Sequence, residues 1–379
     1  MAERNVFGVL VFEMPSRCQT AFLAGGEEGH FRRKTRGTER KNESVLLHAK
    51  LGAVSLAEID QAHGSIFSRS RLERLEVAIR FSASPAVYEP ERRNIRRYMV
   101  PCIDAHHHLW RYTAAEYSWI TGEMRGLRRD FLPDELRQEM QSSGIQATVC
   151  VQARQTTQET ASLLRFAAEY PWIAGVVGWA DIAAEDFPAR LGALLRSPKL
   201  KGLRHVLQDE PDPSFALRPD FQRGLAALKG TALAYDILIH APQLPVAAQM
   251  IDKHPDQVFV LDHLAKPKIA AGEISPWREH LCALAQRPNV WCKLSGMTTE
   301  ANWTQWTLDD LRPYLDVALE AFGPGRLLAG SDWPVCILAS SYSQWWQVLR
   351  AWAANLSATE QDSIFMRNAA EVYRLECEA

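Results

Sequence analysis

From Met99 onward, short apolar runs alternate with longer segments of helical periodicity, and this alternation constrains the fold more than any other feature. Strands are predicted at eight of these runs: 99–103, 147–153, 173–181, 200–206, 232–240, 258–262, 289–294 and 326–330. A predicted helix follows each strand: 132–143, 157–170, 187–196, 219–229, 244–253, 276–286, 309–322 and 359–375. Eight strand–helix repeats over about 280 residues predict a closed α/β fold, a parallel (β/α)₈ TIM barrel with the last helix packed on its outside. An open doubly wound sheet is the alternative, but it needs a glycine-rich turn after its first strand, where this chain has three histidines.

Residues 1–98 differ in composition from the rest of the chain. They carry a net charge of about +5, against about −7 for the remainder, and include runs such as Arg32-Arg33-Lys34. Only 44–81 has helical periodicity, and no series of strands is visible. We therefore predict a largely disordered N-terminal extension at 1–98 and a barrel domain at 99–379. Because Met99 directly precedes the first predicted strand, translation starting there is one interpretation; a small regulatory domain or a basic arm for an acidic partner are the others.

Composition excludes several classes of partner. A hydrophobic fraction of 47% is ample for a core, and a formal net charge of −2 makes no general case for nucleic acid or an anionic membrane. No apolar stretch approaches membrane-spanning length, so a cytoplasmic location is expected. The seven cysteines are odd in number, widely spaced and without a C-x-x-C pair, which favours buried reduced thiols over disulfides or zinc–thiolate sites.

The first predicted strand leads into three consecutive histidines, within the stretch Ile103-Asp-Ala-His-His-His-Leu-Trp110. Side chains two apart on a strand share a face, so His106 and His108 should point to one side and His107 to the other. Two imidazoles on one face can share a metal ion or an anion. The alternative is a histidine cluster on a solvated loop.

Other polar residues also follow the predicted strands. In barrels of this class the carboxyl ends of the strands carry the chemistry. The residues at these ends are His106, His108, Arg204, His205, His240, Gln243, Asp262, His263, Lys266, Lys293, Ser295, Ser331 and Asp332. Imidazoles and a carboxylate converging on one mouth suit activation of water for attack on a carbonyl, with or without a metal.

Five motifs together resemble a known family. They are the histidine stretch, Lys201-Gly-Leu-Arg-His-Val206 with Gln208-Asp-Glu-Pro-Asp212, Leu261-Asp-His-Leu-Ala-Lys-Pro267, Trp291-Cys-Lys-Leu-Ser-Gly296 and Gly330-Ser-Asp-Trp-Pro-Val335. They resemble the amidohydrolase superfamily and, more narrowly, its "amidohydrolase 2" branch of L-fuconolactonase-like and L-rhamnonolactonase-like sugar-lactone hydrolases, with pyrone-dicarboxylate lactonase relatives. The resemblance covers about residues 99–376 and implies a barrel of the metal-dependent hydrolase type.

The resemblance also implies roles for individual residues. His106 and His108 correspond to the H-x-H pair of strand 1, His263 to the strand-6 histidine, and Asp332 to the carboxylate that takes a proton from the attacking water. Arg204 corresponds to a residue that holds a substrate oxygen.

Two departures from the family pattern bear on the metal. Strand 4 lacks a suitably placed bridging lysine, because Lys201 lies at the wrong end, so a two-metal site is not expected. Pro242 stands where relatives often have a histidine, and His240 lies two positions earlier. His106, His108, His240 and Asp332 would make a mononuclear zinc site. The alternative is a metal-independent site, in which the imidazoles polarise the carbonyl as hydrogen-bond donors.

The predicted function is hydrolysis of a small sugar-acid lactone to the hydroxy acid, a carboxylic-ester hydrolase reaction in carbohydrate catabolism. Predicted substrate contacts are Arg204, His205, Gln243, Trp110 and Trp333, with Trp179 as a further aromatic candidate. Neutral sugar lactones should be preferred to a dicarboxylated pyrone. The alternatives are a pyrone-type lactonase, a metal-dependent decarboxylase and a catalytically silent barrel that binds a sugar acid. The oligomeric state, monomer or homodimer, is left open.

Overall fold

The computed structural model describes residues 102–376, in which eight parallel strands form one sheet in the order β1 to β8. The strands are β1 Ile103–His107, β2 Ala147–Val151, β3 Ile173–Gly178, β4 Leu200–Val206, β5 Ala234–Leu238, β6 Phe259–Leu261, β7 Val290–Leu294 and β8 Leu327–Ala329. A parallel bridge between His107 and Trp333 connects the end of the sheet to its beginning. The predicted (β/α)₈ barrel is therefore confirmed, whereas the predicted extension at 1–98 lies outside the described residues.

A helix follows each strand on the outside of the barrel, and two short helices lie in the C-terminal segment. They are α1 Pro133–Ser143, α2 Thr157–Glu169, α3 Phe187–Leu194, α4 Pro219–Ala227, α5 Leu244–Asp252, α6 Trp277–Ala285, α7 Leu308–Phe322, α8 Tyr342–Ala353, α9 Ala358–Asp362 and α10 Asn368–Val372. Local sequence explains several ends: the Thr156 hydroxyl caps α2, and Gly144, with a φ of 69°, ends α1. Helix α8 follows β8 and is the helix of the eighth repeat, a place that the prediction gave to 359–375, and it buries Trp345, Trp346 and Trp352 in the core. None of the helices in the part of the chain described is long and apolar enough to cross a membrane.

The first strand begins later than its apolar run predicted. It spans Ile103–His107 rather than 99–103, so two of the three histidines belong to the strand itself. Polar side chains are tolerated there because they find partners: His107 faces away from the barrel interior and its Nε2 lies 2.8 Å from the Thr148 hydroxyl.

The C-terminal segment does not pack on the outside of the barrel, and that prediction is wrong. The segment is divided into α9, a π-helical turn at Ser363–Arg367 and α10. Val372, Tyr373 and Leu375 are buried in one cluster with inward-facing strand residues such as Val149 and Val260. Small and branched residues line this end of the barrel, and the segment covers the apolar opening that they would otherwise expose to water.

Candidate active site

The two histidines of the H-x-H pair face each other at the carboxyl ends of the strands. Their Nε2 atoms are 3.3 Å apart, and both rings are buried. The His108 Nδ1–H donates to the Val151 carbonyl at 2.8 Å, which leaves the Nε2 lone pair of a neutral ring directed into the site. The expectation that His106 and His108 share a face, with His107 turned away, is confirmed.

Asp332 lies beside this pair at the end of β8. Its backbone has a φ of 59°, an uncommon conformation for a residue with a side chain, and its N–H donates to the His106 carbonyl at 2.8 Å. The neighbouring Ser331 donates from its N–H and its hydroxyl to the buried Asp104 carboxylate, at 2.8 and 2.6 Å. Asp104 therefore ties the end of β8 to β1 and fixes the position of Asp332.

His263 enters the site from a left-handed turn. Four consecutive residues without glycine, His263 to Lys266, have φ values of 53°, 53°, 57° and 52°. Left-handed backbone costs about 1–2 kcal/mol per residue, so the surroundings must hold this turn. The Trp277 indole N–H donates to the Leu264 carbonyl at 2.7 Å, and Leu264 and Ala265 are fully buried. In return, the turn directs both His263 and Lys266 into one cavity.

Gly296 provides the room for His263. Its φ is +63°, and a Cβ at this position would lie 2.5 Å from Nδ1 of His263, which is closer than any real contact. The preceding residue, Ser295, has its hydroxyl 2.8 Å from the same nitrogen. Ser295 thus orients the imidazole through Nδ1, and the missing side chain of Gly296 leaves space for the ring.

Three imidazoles converge on one carboxylate oxygen. Asp332 Oδ1 lies 3.3 Å from His108 Nε2, 3.6 Å from His106 Nε2 and 3.7 Å from His263 Nε2. Because His108 Nδ1 is engaged by the Val151 carbonyl, its Nε2 and this carboxylate oxygen can hold a proton or a metal ion between them.

The same geometry fits a divalent metal. A tetrahedral Zn²⁺ with bonds of about 2.0–2.2 Å to nitrogen and oxygen has ligand atoms roughly 3.3–3.6 Å apart. His106, His108 and Asp332 offer three atoms at this spacing, and three protein ligands leave an open position, as in catalytic zinc sites. The residues present can therefore hold one divalent metal ion.

Burial and neighbouring charges set the ionisation of the site. Burial lowers the pKa of His263 to about 4, and it lowers the pKa of His106 well below 6.5. Burial by itself would raise the pKa of Asp332, but the adjacent imidazoles, His263 foremost, outweigh it and lower that pKa below its usual range. Near neutral pH the site presents an ionised carboxylate beside the neutral rings of His106 and His263.

Arg204 completes the site from β4. Its NH1 lies 2.8 Å from Asp262 Oδ2 and 3.4 Å from His106 Nε2, and its NH2 donates to the Gln152 carbonyl. Behind it, the fully buried Lys293 ammonium contacts Asp262 Oδ1 at 3.0 Å. Two cations, Arg204 and Lys293, thus flank Asp262. The Lys293 ammonium holds the pKa of Asp262 well below its usual range, although burial by itself would raise it.

A cavity of about 1140 Å³ opens above these residues. Loops after β1, β7 and β8 give it an apolar side that contains Trp119, Met124, Trp303, Val335 and Leu338. Loops after β2 and β4 give it a polar side that contains Arg154, Gln155, Gln208, Asp209 and Glu210. The cavity is large enough for a small polar ligand, and its tryptophans give it an aromatic wall.

The structure does not bring three of the predicted substrate contacts to this cavity. His205 points away from Arg204, as alternation along β4 requires, and its Nε2 lies 2.6 Å from Glu210 while its ring stacks on Phe215. The Gln243 amide donates to the Leu207 carbonyl at 3.0 Å, and its oxygen accepts from the His240 N–H. Trp179 also turns away, donating to His205.

Trp110 and Trp333 lie in the core rather than at the cavity. Trp110 packs against Tyr117 and Phe131, and its indole donates to the Arg129 carbonyl. Trp333 packs edge-to-face on Phe131 and is 2% exposed. Trp110 follows β1 and Trp333 follows β8, close to the site in sequence. The chain turns at both places, however, and buries the two side chains in the core beneath the loops.

His240 is not grouped with the other proposed metal ligands. Its side chain is exposed, and the His/Asp groups found close together in the described residues are His106–His108–Asp332 and His106–Asp262–His263. The strand β5 ends at Leu238, two residues earlier than the prediction, so His240 lies on the following turn and not on the inward face.

Sequence reasoning missed several cavity residues, among them Trp119, Arg154, Glu300 and Trp303. Glu300 is notable because, among the described residues, its carboxylate has no hydrogen-bond or ion-pair partner, and burial raises its pKa. These residues lie on long loops without periodicity, so no sequence pattern indicated where they point.

Comparison with known proteins agrees with this geometry. The amidohydrolase family model Amidohydro_2 matches residues 103–375. L-fucono-1,5-lactonases of Burkholderia multivorans and Burkholderia ambifaria are 44% and 36% identical to the chain; each alignment covers 72% of this chain and 96% of the relative. A solved amidohydrolase from B. multivorans with bound zinc superposes with a TM-score of 0.71 at 43% identity, covering 73% of this chain and 100% of that one. The resemblance found in the motifs is confirmed, and the chain belongs to the amidohydrolase family.

Proposed function

We propose that the protein hydrolyses a neutral lactone of a six-carbon sugar acid, with Asp332 as the general base. The observation that carries the proposal is the ionised Asp332 carboxylate among His106, His108 and His263 at the floor of the cavity. Relatives that share 44% and 36% of their residues over nearly their full length bear the name L-fucono-1,5-lactonase, which supports this substrate class.

The residues suggest a two-step reaction. Asp332 accepts a proton from water as the water oxygen bonds to the lactone carbonyl carbon. The carbonyl oxygen becomes an oxyanion, which the Arg204 guanidinium can stabilise from its position beside His106. The bond to the ring oxygen then breaks, and that oxygen takes the proton from Asp332, so the product is the open hydroxy acid.

A metal fits the same arrangement. His106, His108 and Asp332 would hold a divalent ion, which when bound supplies Lewis-acid polarisation and lowers the pKa of water. His263 remains available to orient water or substrate through Nε2, because Ser295 engages its other nitrogen.

The charges around the cavity favour a neutral substrate. Among the described residues, the cavity is lined by five carboxylates (Glu116, Asp209, Glu210, Glu300 and Asp332) and by three cations (Arg154, Arg204 and Lys266). Two of these cations are already engaged, Arg154 by Glu116 and Arg204 by Asp262. A dicarboxylated pyrone would need several free cations to replace its lost hydration, and the cavity does not offer them.

We further propose a cytoplasmic location. The five cysteines in the described part of the chain are free thiols, four of them buried, as is usual in a reducing compartment.

Asp332→Asn tests the function. The substitution should preserve the fold and lower kcat at least about a hundredfold, because the amide cannot accept the proton. Initial rates of acid release from a panel of neutral hexonolactones, with a dicarboxylated pyrone beside them, provide the measurement. Asp209→Asn is a matched control: Asp209 is exposed on the rim of the same cavity, and its removal should change the rate by no more than a few-fold.

Three results would contradict the proposal. Turnover of Asp332→Asn within a few-fold of the wild type would remove Asp332 from its role. Preference for the pyrone, or release of CO₂ from a carboxylated substrate, would favour the other chemistries of this superfamily. Tight binding of sugar lactones without turnover would favour a silent binding protein.

A further inference from the structure

Tyr373, at the end of α10, is a fully buried phenol that the proposed mechanism does not use. Its hydroxyl lies 2.9 Å from both carboxylate oxygens of Asp236, on the inner face of β5. The C-terminal segment is firmly docked, since the Asn368 amide donates to the carbonyls of Pro324 and Leu327 at the start of β8, at 2.8 and 2.7 Å. Tyr373 therefore enters the barrel from the end opposite the cavity.

From Tyr373 a continuous series of polar contacts leads to the active site. Asp236 Oδ2 accepts from the Lys293 ammonium, which also lies 5.4 Å from the centre of the Tyr373 ring. The same ammonium lies 3.0 Å from Asp262 Oδ1 and 3.2 Å from Nδ1 of His106. Asp262 in turn binds Arg204. The phenol thus connects through two residues to His106 and through three to Arg204.

Stability alone does not account for this buried series. The rest of the barrel interior at the end opposite the cavity is lined by apolar residues, which pack without polar partners: Val149, Val177, Ala234, Val260 and Leu328. Burying an ammonium and two carboxylates costs desolvation energy that their attraction often does not recover, and apolar residues of similar size are commonly as stable or more so. A fixed arrangement of charges does, however, orient the side chains that contact substrate.

We propose that Tyr373 is a positioning residue of the active site, acting through Asp236 and Lys293 on His106 and Arg204. The C-terminal segment then has two roles: it covers the barrel and it holds the charged residues beneath the catalytic imidazole. The inference rests on the proposed lactone hydrolysis, because kcat is one of its measurements.

Tyr373→Phe in the full chain is the primary test. It keeps the ring over Lys293 and removes only the hydroxyl, and changes in residues that support ligands or catalytic groups typically cost about 10–100-fold. We expect kcat to fall about tenfold with KM within twofold, and an unchanged thermal midpoint. Tyr373→Leu, which also removes the ring, should lower kcat further. Tyr314→Phe is the matched control, because the Tyr314 hydroxyl only reaches the Glu273 carbonyl at 3.4 Å on the outside of the barrel, and it should leave kcat unchanged.

A double-mutant cycle distinguishes positioning from a general structural effect. If Tyr373 acts through Lys293, Tyr373→Phe should have little further effect on kcat in a Lys293→Met background. Asp236→Asn replaces Lys293→Met if the latter does not fold. Additive effects, or a Tyr373→Phe variant with a lower thermal midpoint and normal kcat, would overturn the proposal.

A spectroscopic measurement separates this inference from the proposed function. With ¹⁵N-labelled histidine, Tyr373→Phe should shift the side-chain nitrogen resonances of His106, assigned by their loss in His106→Gln, while those of His254 on the outer surface stay unchanged. Wild-type protein that hydrolyses no sugar lactone would refute the proposed function, yet a shift would still support the positioning role. Unaltered His106 resonances would overturn that role whatever the substrate.

Discussion

Gly296 shows how the absence of one side chain determines the position of a catalytic imidazole. Any Cβ there meets His263, so the residue after Ser295 has to be glycine for two reasons, its positive φ and this contact. The backbone penalty can be separated from the contact because Gly272 has a similar φ of +65°, with nothing within 4 Å of the position that a Cβ would take.

We expect Gly296→Ala to lower kcat about 10–100-fold, since the new methyl group displaces His263 from Asp332. Gly272→Ala should carry the left-handed backbone cost of about 1–2 kcal/mol, lower the thermal midpoint and leave kcat unchanged. Steady-state kinetics and thermal unfolding of the two variants make the comparison. Equal loss of activity in both would show that strain alone, and not the His263 contact, governs the effect.

The metal ligands can also be tested one residue at a time. His108 Nε2 lies 3.3 Å from Asp332 Oδ1, whereas His240 is exposed on the turn after β5. Zinc content after purification should therefore fall in His108→Ala and stay at the wild-type level in His240→Ala. Metal analysis of both variants, with rates measured before and after chelation, gives the answer. Loss of zinc in His240→Ala would restore His240 to the ligand set, and full activity of metal-free protein would leave the imidazoles acting directly.

At the scale of elements, the strand ends explain why the four central residues of the site could be predicted. His106, His108, His263 and Asp332 each lie at or just after a strand, and parallel strands in a barrel bring such positions to one mouth whatever the loops do. The strand–helix alternation carried this information because strands buried on both faces form continuous apolar runs.

Side chains on turns and loops could not be predicted in the same way. The residues His240 and Gln243 were assigned by their nearness in sequence to β5, but that strand ends at Leu238 and the chain turns before reaching them. His263 shows the opposite case, because its direction depends on a left-handed turn that the Trp277 indole holds through the Leu264 carbonyl, 13 positions away in the sequence. Tertiary contacts of this kind override local pattern.

The C-terminal helix illustrates a third limit. Its periodicity predicted a helix, and the helix exists in three segments, yet periodicity does not tell an outer face of the barrel from its open end. The deciding feature is Tyr373, whose hydroxyl has the Asp236 carboxylate inside the barrel as its only described hydrogen-bond partner. A lone tyrosine and a lone aspartate 137 positions apart give no sequence signal of their pairing.

At the scale of the whole molecule, the barrel should act without the preceding residues. Every residue that contacts the site or lines its cavity lies between 104 and 338, and the B. multivorans lactonase is matched over 96% of its length by only 72% of this chain. We therefore propose that 99–379 is an independent catalytic domain. A chain beginning at Met99 should show the thermal midpoint, kcat and KM of the full-length protein.

Shortening the other end should have the opposite result. A chain of residues 99–367 keeps all eight strands but lacks α10 and Tyr373, so it exposes the apolar end of the barrel and leaves Asp236 with Lys293 alone. Its yield of folded protein or its kcat should fall well below that of 99–379 when the two are compared under the same conditions. If instead 99–379 were inactive or insoluble, the first 98 residues would have to supply part of the fold or of the site, and the barrel would not be a self-sufficient domain.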